Sequence, residues 1–167
     1  MNVSKWRAYP GCRVRPARAV QGCLALLLLA VGPGARAQTP PHSNTQGDWF
    51  TEDHRGVIHV GPCGPVLCGT IVGVSDWRKD GSAVTDVHGT SQCDLAIIRG
   101  MAPGDDNRLH GTVTDPTDGK TYSAELWVGE DGALRLRGYI GLEILGSTQR
   151  WEKFSGHVRP DCHFTTG

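Results

Sequence analysis

The hydrophobic positions of this chain fall into short runs of period two. Tyr122, Ala124, Leu126 and Val128 alternate with Ser123, Glu125 and Trp127, and one turn later Leu134 and Leu136 alternate with Arg135 and Arg137. Successive side chains of a strand point to opposite faces, so each run predicts a strand with one buried face and one wet face. A third run, Thr148-Gln149-Arg150-Trp151, follows shortly after. The same reading upstream predicts strands beginning at Gly47, over 57–60, over 67–74, over 93–98 and over 109–114. Between them lie turn signals: His54-Arg55-Gly56, Gly64-Pro65, residues 103–107, residues 115–119 and residues 129–132. Gly, Asn and Asp at such places supply the positive φ angles that hairpins need. The count is about eight short strands and no amphipathic helix of useful length. Eight such strands in one domain predict an all-β fold, a single antiparallel up-and-down barrel, because closure removes both exposed edges. Residues 75–92 have no period and are rich in Asp, Gly and Ser. They read as a long loop, and a loop of that length in a small domain is commonly functional or mobile.

The first 37 residues follow another pattern. Lys5, Arg7, Arg13, Arg15 and Arg18 precede an apolar run from Cys23 to Val31, and Ala35-Arg36-Ala37 has the small-x-small form of a cleavage site. This is a secretory signal peptide cut after Ala37. Its apolar run is far shorter than the roughly 20 residues a membrane span requires. Residues 38–46, with Pro40-Pro41, read as a flexible lead-in, and residues 47–167 as the barrel with a C-terminal tail.

Cleavage changes the charge. The whole chain holds 17 basic and 17 acidic residues, but six basic ones leave with the leader. The mature chain therefore has 11 basic residues against 17 acidic, a net charge near −6. An acidic protein does not suit nucleic acid or anionic lipid as its main partner. The expected location is the periplasm or the exterior, with no membrane insertion once the leader is gone. The cysteines fit that setting. Cys63, Cys68, Cys93 and Cys162 remain after cleavage, and four cysteines in an exported chain are most simply two disulfides. Three pairings exist. Cys63 and Cys68 flank a hairpin turn, which favours their pairing and leaves Cys93 with Cys162.

Candidate chemistry is sparse. The seven His residues are scattered without His-x-x-x-His or His-Glu-x-x-His spacing, and Asp161-Cys162-His163 near the terminus reads as a tethered tail, so no metal or other cofactor is expected. No Gly-x-Ser-x-Gly elbow is present, and Ser123 alternates outward from Tyr122. Glu125 and Glu143 form a conceivable carboxylate pair, although strand glutamates are usually solvated. No catalytic constellation emerges.

Aromatics are the remaining signal. Trp49, Trp127, Tyr139 and Trp151 all lie on expected strands. Inward side chains of an eight-stranded barrel fill it or line a site for one small ligand. The candidate ligand-binding residues are Tyr122, Leu126, Trp127, Leu136, Tyr139 and Trp151. Tyr139 has the wrong parity and reaches the interior only if Gly138 marks a bulge. Arg137 is a candidate to cover one of the Trp rings.

Several motifs occur together in order. They are Gly-x-Trp-x-Thr-x-Asp (Gly47, Trp49, Thr51, Asp53), Cys-Gly-x-x-Leu-Cys-Gly (Cys63 to Gly69), Gly-Lys-Thr-Tyr-Ser-Ala (Gly119 to Ala124), Arg-Gly-Tyr-Ile-Gly (Arg137 to Gly141) and Thr-Gln-x-Trp (Thr148, Gln149, Trp151). The chain thereby resembles, over about 47–154, the bacterial secreted family known as domain of unknown function 2147. The resemblance implies a lipocalin-like (calycin) barrel in the periplasm, with no established reaction or ligand, and a barrel-closing role for Trp49. Two departures stand out: Gly73 where members commonly carry Trp, and Ser147 where they commonly carry Arg. The expected function is binding of a small apolar or amphipathic ligand. The alternatives are an envelope or stress protein that contacts another protein, for instance through residues 75–92, and a hydrolase.

Overall fold

Eight antiparallel strands, each hydrogen-bonded to the next in chain order, form a closed barrel. They are β1 (Gly47–Phe50), β2 (Gly56–Cys63), β3 (Val66–Val74), β4 (Ala96–Pro103), β5 (Leu109–Thr114), β6 (Thr121–Val128), β7 (Leu134–Tyr139) and β8 (Ser147–Lys153). The ring closes where Trp49 and Phe50 of β1 pair with Lys153 and Glu152 of β8. The computed structural model describes residues 42–166, so the expected signal peptide and the first part of the expected lead-in lie outside the described residues.

Period two places the core. Leu126 pairs with Leu136 and with Leu109, and Val128 with Leu134, so one parity of each strand meets at the barrel axis. One end is packed solid: Trp49, Trp151, Met101, Leu109, Leu126 and Leu134 are each at most 2% exposed. A short 3-10 turn, Ser43–Thr45, caps this end. Trp49 donates its indole N–H to the Thr45 carbonyl at 2.8 Å, and the Lys153 ammonium sits 4.3 Å from the Trp49 ring centre. Thr45 is buried, so residues 43–45 of the expected lead-in form an ordered cap. A buried indole N–H needs a partner, and this turn supplies it.

The disulfides are Cys63–Cys68 and Cys93–Cys162. Cys63 and Cys68 lie diagonally across the β2–β3 hairpin, because the register opposes Cys63 to Val66 and Cys68 to Gly61. Around the second bridge the structure departs from expectation. Residues 93–95 do not join a strand: Asp94 has φ 61°, Leu95 hydrogen-bonds back to Gln92, and β4 runs on to Pro103 instead. The C-terminal segment is no loose tail. His157–Val158 (β9) and Phe164–Thr165 (β10) pair as a hairpin against the outside of the barrel, where the Cys162 carbonyl accepts the Val74 N–H. Phe164 packs edge-on against Phe50 and Phe154 and lies over Gly73. A Cβ at Gly73 would sit 3.0 Å from the Phe164 ring and 3.2 Å from Val57. The hairpin thus occupies the space a larger residue at position 73 would claim.

Candidate functional site

The chain direction sorts the loops. Those at 51–55, 75–95, 115–120 and 140–146 share the end opposite the Trp49 cap, since each follows an odd-numbered strand. At that end a cavity of about 830 Å3 opens into the barrel. Its floor is apolar: Ile58, Ile71, Ile97, Val113, Leu136 and Trp151. Polar side chains share the lining: Tyr122 stands opposite Val113, Gln149 opposite Leu136 and Ser147 opposite Gly138. Gln149 accepts the Trp151 indole N–H at 2.8 Å, which satisfies the one polar atom of that ring.

Three of the six sequence-derived ligand residues, Tyr122, Leu136 and Trp151, line the cavity. Leu126 shares their parity but is wholly buried in the packed end below it. Trp127 and Tyr139 are corrections. The β6–β7 register runs from Ser123↔Tyr139 to Val128↔Leu134 without a slip, so Gly138 is no bulge and both aromatics belong to the outer face. The aliphatic floor from β2, β3, β4 and β5 was missed as a site, although its alternation was readable.

Loop 75–95 borders the mouth through Asp76, Val84 and Gln92. It is more ordered than its composition suggests. Trp77 bridges to Ala83 and Thr85 to Ser91, and the Trp77 ring stacks on His163 of the C-terminal segment with centres 3.5 Å apart. The rim is acidic. Arg55 pairs with Asp76, while Glu52, Asp53 and Asp115 form no ion pair among the described residues. Their acceptor needs are met locally. Asp53 accepts from the Thr51 hydroxyl at 2.8 Å, Asp115 from the Thr117 hydroxyl at 2.6 Å, and Glu52 from the Arg150 backbone N–H at 3.2 Å.

A second constellation sits on the outer wall. Glu125 has outward parity yet is wholly buried. Arg108 reaches over it, with Nη1 2.5 Å from Glu125 Oε2 and 3.6 Å from Glu143 Oε1, and its guanidinium lies 4.2 Å above Trp127. Arg108, rather than Arg137, is therefore the arginine over a Trp. Arg137 instead holds the 140–146 loop, donating to the Glu143 carbonyl at 2.9 Å and to Thr148 at 2.8 Å. Hydrogen bonding to Glu125, and then its charge, raise the Glu143 carboxyl above its ordinary 4.5. Glu125 Oε1 has no hydrogen-bond partner among the described residues. Glu125 is buried under the Arg108 guanidinium while Glu143 stays exposed, and neither lines the cavity. Among the described residues no group of three or more His, Cys, Asp or Glu side chains is disposed to hold a metal.

Residues 47–153 match the family described as "Uncharacterized protein conserved in bacteria (DUF2147)". The chain belongs to this family. No curated protein sequence matches it. Among solved structures, a protein of Helicobacter pylori, HP1028, described as belonging to the lipocalin family, is similar with a TM-score of 0.56 at 16% identity, over 66% of this chain and 83% of that one. At that identity the likeness is one of fold, and it agrees with the closed eight-stranded barrel. The DUF2147 match ends at Lys153, so the hairpin that covers Gly73 and carries Cys162 lies outside the shared region.

Proposed function

We propose that this DUF2147 barrel is an exported binding protein that holds one small apolar or amphipathic molecule in the cavity at its open end. The observation that carries the reading is the cavity itself, about 830 Å3, lined mainly by aliphatic and aromatic side chains with a few polar groups among them. Sites for small ligands have this form, mostly apolar with a few placed polar groups. Burial of about 200 Å2 of ligand at roughly 25 cal/mol per Å2 contributes about 5 kcal/mol before association costs, equivalent to a Kd of about 0.2 mM or weaker. The reading is of a binder rather than an enzyme, since Glu125, the one wholly buried acid among the described residues, is paired with Arg108 on the outer wall. Export through the leader cut after Ala37 places it in an oxidising compartment, which suits two disulfides.

The test is titration with a neutral apolar fluorophore such as N-phenyl-1-naphthylamine. Saturable enhancement is expected, abolished by Ile71→Trp, which fills the floor. Absence of saturable binding to the folded protein refutes the reading. A protein-contact role has one observation in its favour, the four exposed residues Ile140, Leu142, Ile144 and Leu145 beside the mouth, rather than the pinned loop 75–92.

A further inference from the structure

We propose that the ligand is an amphipathic cation, an apolar body with an ammonium-type head, and that the cavity discriminates against fatty acids and other anionic amphiphiles. This rests on the ligand-binding reading above and assigns the class of molecule that the same cavity takes. The geometry has two parts. The floor of Ile58, Ile71, Leu136 and Trp151 accepts an apolar body and offers no cationic partner to a carboxylate head. The head of such a ligand therefore remains at the rim, where Glu52, Asp53 and Asp115 line the opening on two loops that face each other across it.

The charge there is not cancelled locally. Arg55, the basic residue lining the cavity, is engaged by Asp76, and Lys120 of the neighbouring loop is engaged by Asp118 at 3.1 Å. Glu52, Asp53 and Asp115 accept from hydroxyl or backbone N–H donors, and none of them forms an ion pair among the described residues, although Arg55 and Lys120 lie close enough to feel Asp53 and Asp115. Such donors hold these side chains in place. The three carboxylates are spread around the opening and do not converge into a metal-binding group. Their effect is a field over the mouth, suited to a bulky organic cation with diffuse charge rather than to a metal ion that demands close oxygen ligands. Tyr122 adds an aromatic ring to the same wall, which favours a cationic head over an anionic one.

The experiment compares three probes of equal tail, decyltrimethylammonium, decanol and decanoate, by isothermal titration calorimetry with the mature oxidised protein below micelle-forming concentrations. Decyltrimethylammonium is expected to bind about tenfold more tightly than decanoate, with decanol between them. The cation's advantage shrinks as salt is raised, while decanol binding does not fall. The triple variant Glu52→Gln, Asp53→Asn, Asp115→Asn keeps the local acceptors and should lose most of the preference. A control neutralised at Asp105 and Glu130, on loops of the closed end, should retain it, which separates the rim from the general acidity of the chain. Decanoate binding as tightly as the cation, a preference insensitive to salt, or a preference unchanged in the rim variant overturns the proposal while leaving a binding barrel. Failure of all three probes, decanol included, overturns the ligand-binding reading and this proposal with it. Should the triple variant not fold, the salt dependence on the native protein decides alone.

Discussion

The two disulfides are predicted to differ about twofold in their contribution to stability. Cys93 and Cys162 are 69 residues apart, whereas Cys63 and Cys68 are 5 apart. In the chain-entropy treatment a cross-link acts by removing conformations from the unfolded ensemble, with a cost that grows as the logarithm of the closed loop. That gives about 4 kcal/mol for the long bridge and about 2 kcal/mol for the hairpin bridge. The native surroundings add to the contrast. Cys162 is 4% exposed, its carbonyl accepts the Val74 N–H, and its neighbour His163 stacks on Trp77, so the bridge joins the mouth loop, β3 and the C-terminal hairpin. The perturbation is paired Cys→Ala replacement at 93 and 162, set beside the same replacement at 63 and 68. Urea unfolding of the mature protein reads both. The 93/162 variant should lose about 2 kcal/mol more than the 63/68 variant, and its m-value should rise, because the released chain exposes more surface when it unfolds. Equal losses, or a larger loss at 63/68, would refute the argument from loop length.

Three further outcomes are expected. The Glu143 carboxyl is raised, so the folded protein binds that proton more tightly than the unfolded chain does. Its contribution is complete below the ordinary value of 4.5 and is lost as pH rises through the folded value, so Glu143→Gln should gain stability over the native protein at pH 7 and not at pH 4, as thermal melts at both pH values will report. Arg108→Ala strands the buried Glu125 carboxylate and should cost about 3 kcal/mol, most of it recovered in the double variant with Glu125→Gln; a double-mutant cycle without recovery defeats the pairing. Phe164→Ala removes the ring from Phe50, Phe154 and Gly73 and, since Phe164 is half-buried, should cost about 2 kcal/mol, less than a fully buried Phe; a loss under about 0.5 kcal/mol would mean the hairpin does not cover the barrel wall.

The barrel was legible in the chain because its cause is local. A pleated strand alternates its faces whatever lies beside it, so the runs at 122–128 and 134–136 reveal both the strands and the side of each that turns inward. That parity placed Tyr122, Leu136 and Trp151 in the cavity. It also excluded Tyr139, which was put inside on the strength of a bulge that the β6–β7 register does not contain. Outward parity alone would have left Glu125 in water. Its burial depends on Arg108, seventeen residues earlier in the chain, and on the loop after β7, both brought to it by the pairing of β5, β6 and β7.

The sequence by itself determined the all-β class, the order of the strands, the two-cysteine hairpin and the apolar face of each strand, since these follow from spacing within ten residues or so. Only the tertiary structure decided that residues 157–165 fold back as a hairpin over Gly73, and that Glu52, Asp53 and Asp115 line one opening. Ring closure between β1 and β8 joins segments about a hundred residues apart, and charges on turns carry no period. A rim assembled from such turns leaves no repeating trace along the chain; it exists only once the barrel has closed.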